Sequence, residues 1–522
     1  MDNIVSRPAV VGPVIIAIGY LLYRLFLAPA KLPNLPIVGA KKGDWFPLLQ
    51  AKWRNTLDFR RATLEAYDKY KNQAALIPAI GFGDAIMLPV SETQWVAEQP
   101  EDVLSLHEQA MHSLQTDYTV GDPQLIRKPF HHKLIVTSLT SKIGDLVPDV
   151  ADECEWSFDK YWGDDTEQWN EIGVYDTLRY IIGSVTNRVF VGLPYCRDMK
   201  LVDSSMAFAQ DVPTSALVLK FFWAPLRGLA AFFVTIPNRI HENRFMNILR
   251  PEVERRLKTY DQQANDCGKH TGTEPEPNDF LQWNINKAKA SGDAYECNWK
   301  TLAGRVLLLN FAAIHTSSFS ITSAVLDLVY GKKEYIEELR EEIKTVLAEN
   351  DGIWTKQALG KMEKLDSTMR ESARLNSFVT IGLGRFVTAK DGVTTPSGVH
   401  LPHGALVCAH SHPVFREPEI YSDALEFKPF RFAEKRHEEG VEYVKRARNA
   451  FATTSAEHLA FGHGRNACPG RFFAANELKL LLGHLLLNYD FAVETERPEN
   501  KWIVVNLIPP MKTTIKVKRR KL

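Results

Sequence analysis

A chain of 522 residues, 45% hydrophobic and 24% charged, is long enough to bury a large core and too apolar to be disordered over most of its length. Its 63 basic and 63 acidic residues cancel, so it lacks the basic field of a nucleic-acid-binding protein, and nucleic acid is not an expected partner. Its six cysteines, at 154, 196, 267, 297, 408 and 468, contain no C-x-x-C pair, which excludes a disulfide scaffold and argues against a structural zinc site.

The first predicted element is apolar. From Pro8 to Ala30 the chain is free of charge except at Arg24, a run of about 20 residues such as one bilayer crossing needs. A cleaved signal peptide is the competing reading. Only Arg7 precedes the run and no A-x-A site follows it, which favours an uncleaved anchor. Arg24, Lys31, Lys41 and Lys42 lie after the segment, so the basic bias places the body in the cytosol. Pro33 and Pro36 cannot extend a helix and predict a stiff hinge. The chain thus divides into an anchor over 1–30, a proline-rich hinge over 31–42 and a body over 43–522.

The body reads as mainly helical with a small β portion. Asp176 to Phe190 has apolar residues at three- and four-residue spacing, which predicts a helix. Ser215 to Pro237 is strongly apolar but broken by Lys220, Pro225 and Arg227. Two buried helices or a lipid-dipping lid fit it, and the central charges disfavour a second span. Cys267 to Asp279 is a polar surface loop. Trp299 to Tyr330 predicts a long helix through the core, and Glu334 to Asn350 an amphipathic surface helix. Strand signals are short, the clearest being the β-branched residues around turn dipeptides from Phe386 to Pro402. The closing basic run from Ile515 is expected to be a solvated tail.

The most informative segment is F-G-H-G-R-N-A-C-P-G-R-F-F-A, Phe461 to Ala474. Gly462 and Gly464 open backbone angles closed to other residues and let the chain approach a flat object. A helix is predicted from Arg471, and its N-terminal dipole favours a thiolate at Cys468. From the chemistry alone, a metal-bound sulfur and a buried free cysteine both fit.

This motif resembles the haem-binding segment of the cytochrome P450 family, F-G-x-G-x-R-x-C-x-G. Phe461, Gly462, Gly464, Cys468 and Gly470 match; Asn466 stands where a basic residue is usual, with Arg465 beside it. The resemblance implies a haem b whose iron is ligated by the Cys468 thiolate, a ligand that favours O–O cleavage. E-S-A-R, with Glu371 and Arg374, and F-K-P-F-R-F, with Arg431, resemble the family's buried Glu–Arg–Arg triad. On residues alone, Glu371 and Arg374 are a local helical ion pair.

N-F-A-A-I-H-T, in the predicted core helix, resembles the family's oxygen-binding pattern at Ala312, Ala313 and Thr316. Thr316 is expected to stabilise oxygen species and deliver protons, against the plainer reading of a hydroxyl bonded one turn back. His315 replaces the usual acid and is expected to relay protons. Arg385 is expected at a haem propionate. The W-x-x-x-R helix is missing; His131, His132 or Lys133 is expected in its place. The expected substrate pocket includes Phe311, Ala312, Ala313, Val379, Ile381 and Ile508, which suits a lipophilic molecule.

The resemblance implies a cytochrome P450 fold, mainly α with a small β portion, preceded by one transmembrane helix. The body over 43–522 would be the haem-thiolate monooxygenase domain. Electrons would come from NADPH through a separate NADPH–cytochrome P450 reductase, since no flavin domain or G-x-G-x-x-G fingerprint is visible. O2 would be the co-substrate. The protein would be a monomer in contact with membrane lipid, single-pass in the endoplasmic reticulum membrane, with its catalytic domain facing the cytosol. A-A-I-H-T, the G-H-G loop and T-N-R-V-F-V-G-L-P-Y-C are similar to fungal enzymes of the ent-kaurene oxidase-like group, which tailor terpenoid, polyketide or alkaloid skeletons. A haem-thiolate rearrangement enzyme is one alternative, and a membrane haem- or ligand-binding protein another.

Overall fold

The computed structural model describes residues 8–22, 32–265, 276–440, 442–493 and 496–521. Residues 23–31, the end of the expected anchor, and 266–275, most of the expected polar loop, lie outside the described residues. The first helix, Pro8–Leu22, leaves Ile15 and Ile16 exposed. It is shorter than a full crossing. Among the described residues, the helix long and apolar enough for that is Trp299–Val329, whose residues are mostly packed inside the protein.

The proline segment is fastened at its far end. The Val38 N–H donates to the Leu76 carbonyl and the Leu76 N–H to the Pro36 carbonyl, both at 2.8 Å, and Val38 is fully buried. The hinge is thus hydrogen-bonded to the sheet at Pro36 and Val38.

The main sheet has five strands in the order Ala75–Ala79, Gly83–Met87, Leu406–His410, Ile381–Val387 and Leu104–Ser105. All neighbours are antiparallel except Gly83–Met87 with Leu406–His410. The strand signals from Phe386 resolve into the end of Ile381–Val387 and a small pairing of Val393–Thr394 with His400–Leu401. The basic C-terminus is not a solvated tail. Thr514–Arg519 is a strand between Asn170–Gly173 and Tyr489–Ala492. Its I-K-V-K alternation buries Ile515 and Val517, a period-2 pattern that the charge of the run obscures.

The helical part surrounds Trp299–Val329, the core helix. Asn298 caps it by accepting from the Lys300 N–H. Val174–Phe190, Met199–Lys220, Ile236–Asn265 and Glu363–Leu375 pack around it. Ile181, Val185, Val306, Leu326 and Met369 share one buried cluster. Lys333–Ala348 is the expected surface helix.

Ser215 to Pro237 is not a pair of buried helices. Met199–Lys220 ends, a turn begins at Ala224, and Arg227–Val234 forms a short helix. Phe221 and Leu229 are each 68% exposed, and Trp223, Phe232 and Phe233 are exposed with them. Pro225 opens the next short turn, where proline is tolerated, and the large apolar side chains there turn outward. Trp223 also meets Tyr20 of the first helix, ring centroids 5.1 Å apart.

Candidate active site

The Cys468 loop is built by backbone geometry. Gly462 and Gly464 have φ of 68° and 71°, in the left-handed region. The Cys468 N–H donates to the Phe461 carbonyl at 2.8 Å and closes the loop. His463 fastens it from the side: Nε2 donates to Gln94 Oε1 at 2.9 Å, and Nδ1 lies 3.0 Å from the Thr454 hydroxyl. A Cβ on Gly464 would stand 2.2 Å from the Ala97 carbonyl oxygen. Gly464→Ala is therefore expected to lower stability by at least about 1–3 kcal/mol, the cost of a strained backbone, read as a lower urea midpoint.

Cys468 sits just before the Arg471–Asn488 helix. Burial pushes its thiol up, opposed by the N–H groups of Gly470 and Arg471 and by the Arg471 guanidinium. These donors favour the anionic sulfur that a metal ligand needs. Among the described residues no group of three or more His, Cys, Asp or Glu side chains could hold a metal ion. Arg465 is exposed on the loop. Asn466 is committed elsewhere: its amide donates to Glu101 Oε1 at 2.7 Å.

Glu101 also accepts from the Ser105 hydroxyl and the Leu106 N–H, and its charge acts on Arg385. Arg385 follows a register shift between Gly382 and Arg385 in its strand. It is 3% exposed, and its one side-chain hydrogen bond among the described residues goes to the Gly384 carbonyl at 2.8 Å. Burial lowers its pKa. A buried guanidinium without a direct carboxylate suits the acid group of a cofactor.

In the middle of the otherwise buried core helix, Ala312 and Thr316 are exposed. The Thr316 hydroxyl donates to the Ala312 carbonyl at 2.8 Å, the plainer of the two sequence readings, and keeps its lone pairs free. His315 does not point the same way. Its Nε2 lies 3.2 Å from the Met206 carbonyl, and its Nδ1 lies 3.1 Å from the Tyr175 hydroxyl. A carbonyl only accepts, so Nε2 carries the proton and Nδ1 of the neutral ring accepts from Tyr175. Burial lowers the His315 pKa and keeps the ring neutral. The expected relay from His315 to Thr316 thus needs correction: both ring nitrogens are engaged elsewhere.

His131 is held from one side and lines the cavity beside the core helix. Its Nδ1 accepts from Arg305 at 3.0 Å, and burial beside that cation pushes its pKa down to about 3. Arg305 is fully buried, pairs with Glu296 at 2.7 Å, and draws His131 in as a further acceptor. His132 and Lys133 are exposed on the same turn.

Glu371, Arg374 and Arg431 form one buried network. Arg374 reaches the Glu371 carboxylate with Nε and Nη2, both at 2.8 Å, and Arg431 Nε reaches Oε1 at 3.0 Å. Arg374 also donates to the carbonyls of Phe415 and Ala424, and Arg431 to that of Ser422. These bonds tie the Glu363–Leu375 helix to the segment before the cysteine loop.

A cavity of about 230 Å³ opens beside the core helix, lined among others by Leu114, Thr116, Val120, His131, Phe208 and Phe311. Of the six expected pocket residues, Phe311 lines it; Ala312 and Ala313 neighbour it along the helix. Val379 is 43% exposed and pairs with Asn506, which brings the Leu507–Met511 segment close. Ile381 is buried away from this cavity's lining. It packs into a separate cluster with Phe59, Ile77 and Leu406. Ile508 is buried. No motif pointed to Glu101, Tyr175 or Met206, which reach the site only through long-range packing.

Comparison with known proteins agrees with this layout. The sequence profile described as Cytochrome P450 matches residues 106–517. Cytochrome P450 monooxygenase astC of Aspergillus terreus is 30% identical over 98% of this chain and 97% of its own. Cytochrome P450 monooxygenase gloP of Glarea lozoyensis is 31% identical over 97% and 95%. The solved structure of a retinoic acid bound cyanobacterial CYP120A1 shares the fold, with a TM-score of 0.63 at 18% identity over 93% of this chain and 100% of that one. A match running from the helix after Leu104–Ser105 to the last strand leaves one assignment: this chain belongs to the cytochrome P450 family and is a haem-thiolate monooxygenase.

Proposed function

We propose that the protein inserts an oxygen atom from O2 into a lipophilic small molecule, of terpenoid, polyketide or alkaloid type, in fungal secondary metabolism. The observation that carries this reading is the exposure of Ala312 and Thr316 in the middle of a buried helix. Small side chains would leave room there for a diatomic molecule, and the hydroxyl could donate to it on turning away from the Ala312 carbonyl.

The residues present fit a haem. Cys468 would hold the iron as thiolate, Gly462 and Gly464 let the loop lie close, and Phe461 closes it. Arg385, buried without a direct carboxylate, would take a propionate. Bound haem supplies reductive activation of O2, with the thiolate favouring O–O cleavage. Thr316, with its lone pairs free, would accept a hydrogen bond from a proton-bearing group beside it and, on turning its hydroxyl away from the Ala312 carbonyl, pass a proton on. The apolar wall of Leu114, Val120, Phe208 and Phe311 would orient substrate and exclude water.

Electrons would arrive from NADPH through a separate reductase. Residues 1–30 would anchor the protein as a monomer in the endoplasmic reticulum membrane, with the body over 43–522 facing the cytosol. Exposed Phe221, Trp223 and Leu229, near Tyr20 of the first helix, support a common lipid-facing surface.

The test is the reduced, carbon-monoxide-bound absorption spectrum of microsomes expressing the chain, followed by product mass. A strongly red-shifted Soret band and a product heavier by one oxygen atom are expected. An isomer of unchanged mass would instead mean rearrangement. Thr316→Ala is expected to retain haem but divert most electrons to hydrogen peroxide, read as NADPH consumed per product formed. Full coupling in that variant would remove Thr316 from the assignment.

A further inference from the structure

We infer that His315 is a positioning residue: with Tyr175 it clamps the Met199–Lys220 helix onto the core helix and so sets the size of molecule the cavity admits. The inference deepens the monooxygenase reading and rests on it for the identity of the reaction.

The clamp has two bonds and a stack. His315 Nε2 donates to the Met206 carbonyl at 3.2 Å, across to the neighbouring helix. Tyr175, one residue into Val174–Phe190, donates to Nδ1 at 3.1 Å and fixes the tautomer that makes the first bond possible. Tyr175 stacks on Phe319 at 5.5 Å, and His315 on Phe319 at 6.2 Å, so the ring plane is held as well. Three helices meet at one imidazole.

The consequence is felt two residues further along. Phe208 follows Met206 on the clamped helix and packs edge-on against Phe311 of the core helix, centroids 6.5 Å apart. Phe208 and Val212 of the clamped helix line the 230 Å³ cavity together with Leu308 and Phe311 of the core helix. The His315–Met206 bond therefore fixes the separation of the two walls. A carboxylate at this place, which the resemblance led one to expect, could not donate to the Met206 carbonyl. Histidine can, which gives a physical reason for the replacement.

The experiment uses the full-length haem-loaded protein and three variants: His315→Phe, His315→Gln and Tyr175→Phe. Backbone amides between Met206 and Val212 are followed by hydrogen exchange. In His315→Phe they are expected to exchange about five- to tenfold faster, the effect of one or two lost hydrogen bonds. Tyr175→Phe should give a smaller rise, and His315→Gln, whose amide can still donate, should restore most of the protection. Titration with n-alkylimidazoles of increasing length reads the cavity through the haem spectrum. The best-bound chain should lengthen in His315→Phe and return in His315→Gln, a change that general destabilisation would not produce. Unaltered exchange and chain-length preference in His315→Phe, or a fall in coupling with unaltered exchange, would overturn the clamp, the second outcome making His315 a proton donor. Exchange needs no turnover, so failure of the monooxygenase reading in product analysis is separable from failure of the clamp.

Discussion

Cys468→Ala is expected to abolish the thiolate-type spectrum and all product formation, while leaving the fold in place. The fold survives because the loop is closed by the backbone: Cys468 N–H to the Phe461 carbonyl remains available to alanine. Removing one sulfur from a partly exposed position should change stability by no more than about 1–2 kcal/mol. Three of the other thiols are poor replacements. Cys196 and Cys408 are buried, with pKa values pushed up to about 12, and complete burial drives Cys154 well above the ordinary thiol range. The measurement is the reduced, carbon-monoxide-bound spectrum beside a urea unfolding curve. A persisting red-shifted Soret band in Cys468→Ala would assign the iron to another residue and sink the site described above.

The second large effect belongs to Glu371. Glu371→Gln is expected to cost about 3–5 kcal/mol, because the carboxylate faces two guanidiniums that cannot reach water. Glu371 and Arg374 are fully buried and Arg431 nearly so. After substitution the carbonyls of Phe415, Ala424 and Ser422 still accept from the arginines, but no anion offsets their charge. A loss of that size is a large fraction of the 5–15 kcal/mol that holds a typical domain together. Little haem-loaded protein should accumulate, and what does should unfold at a much lower urea concentration. The comparison is Lys364 with Glu338, an ion pair of 2.6 Å whose side chains are 42% and 47% exposed. Breaking that pair should cost less than about 1 kcal/mol, since water screens it. Equal losses from the two pairs would contradict a special role for the buried network.

What the sequence determined by itself was local or carried by short motifs. Apolar periodicity marked Trp299–Val329, Val174–Phe190 and Lys333–Ala348, because a helix face repeats within a few residues. The glycines around Cys468 marked a loop that must take left-handed angles, and both do. Where the chain makes contact with itself across long separations, only the tertiary structure could decide. The basic C-terminal run became a strand because two distant strands, Asn170–Gly173 and Tyr489–Ala492, offered ladders on both sides. Ser215 to Pro237 turned its aromatic residues outward where the chain leaves Met199–Lys220 for two short helical turns. His131 went to Arg305, 174 residues away, and His315 to Tyr175, 140 residues away. A side chain's residue type gives its chemistry, but its partner depends on which buried donor or acceptor the fold brings within 3 Å or so. For His315 that partner is a carbonyl on a neighbouring helix, which turned an expected proton donor into a helix clamp.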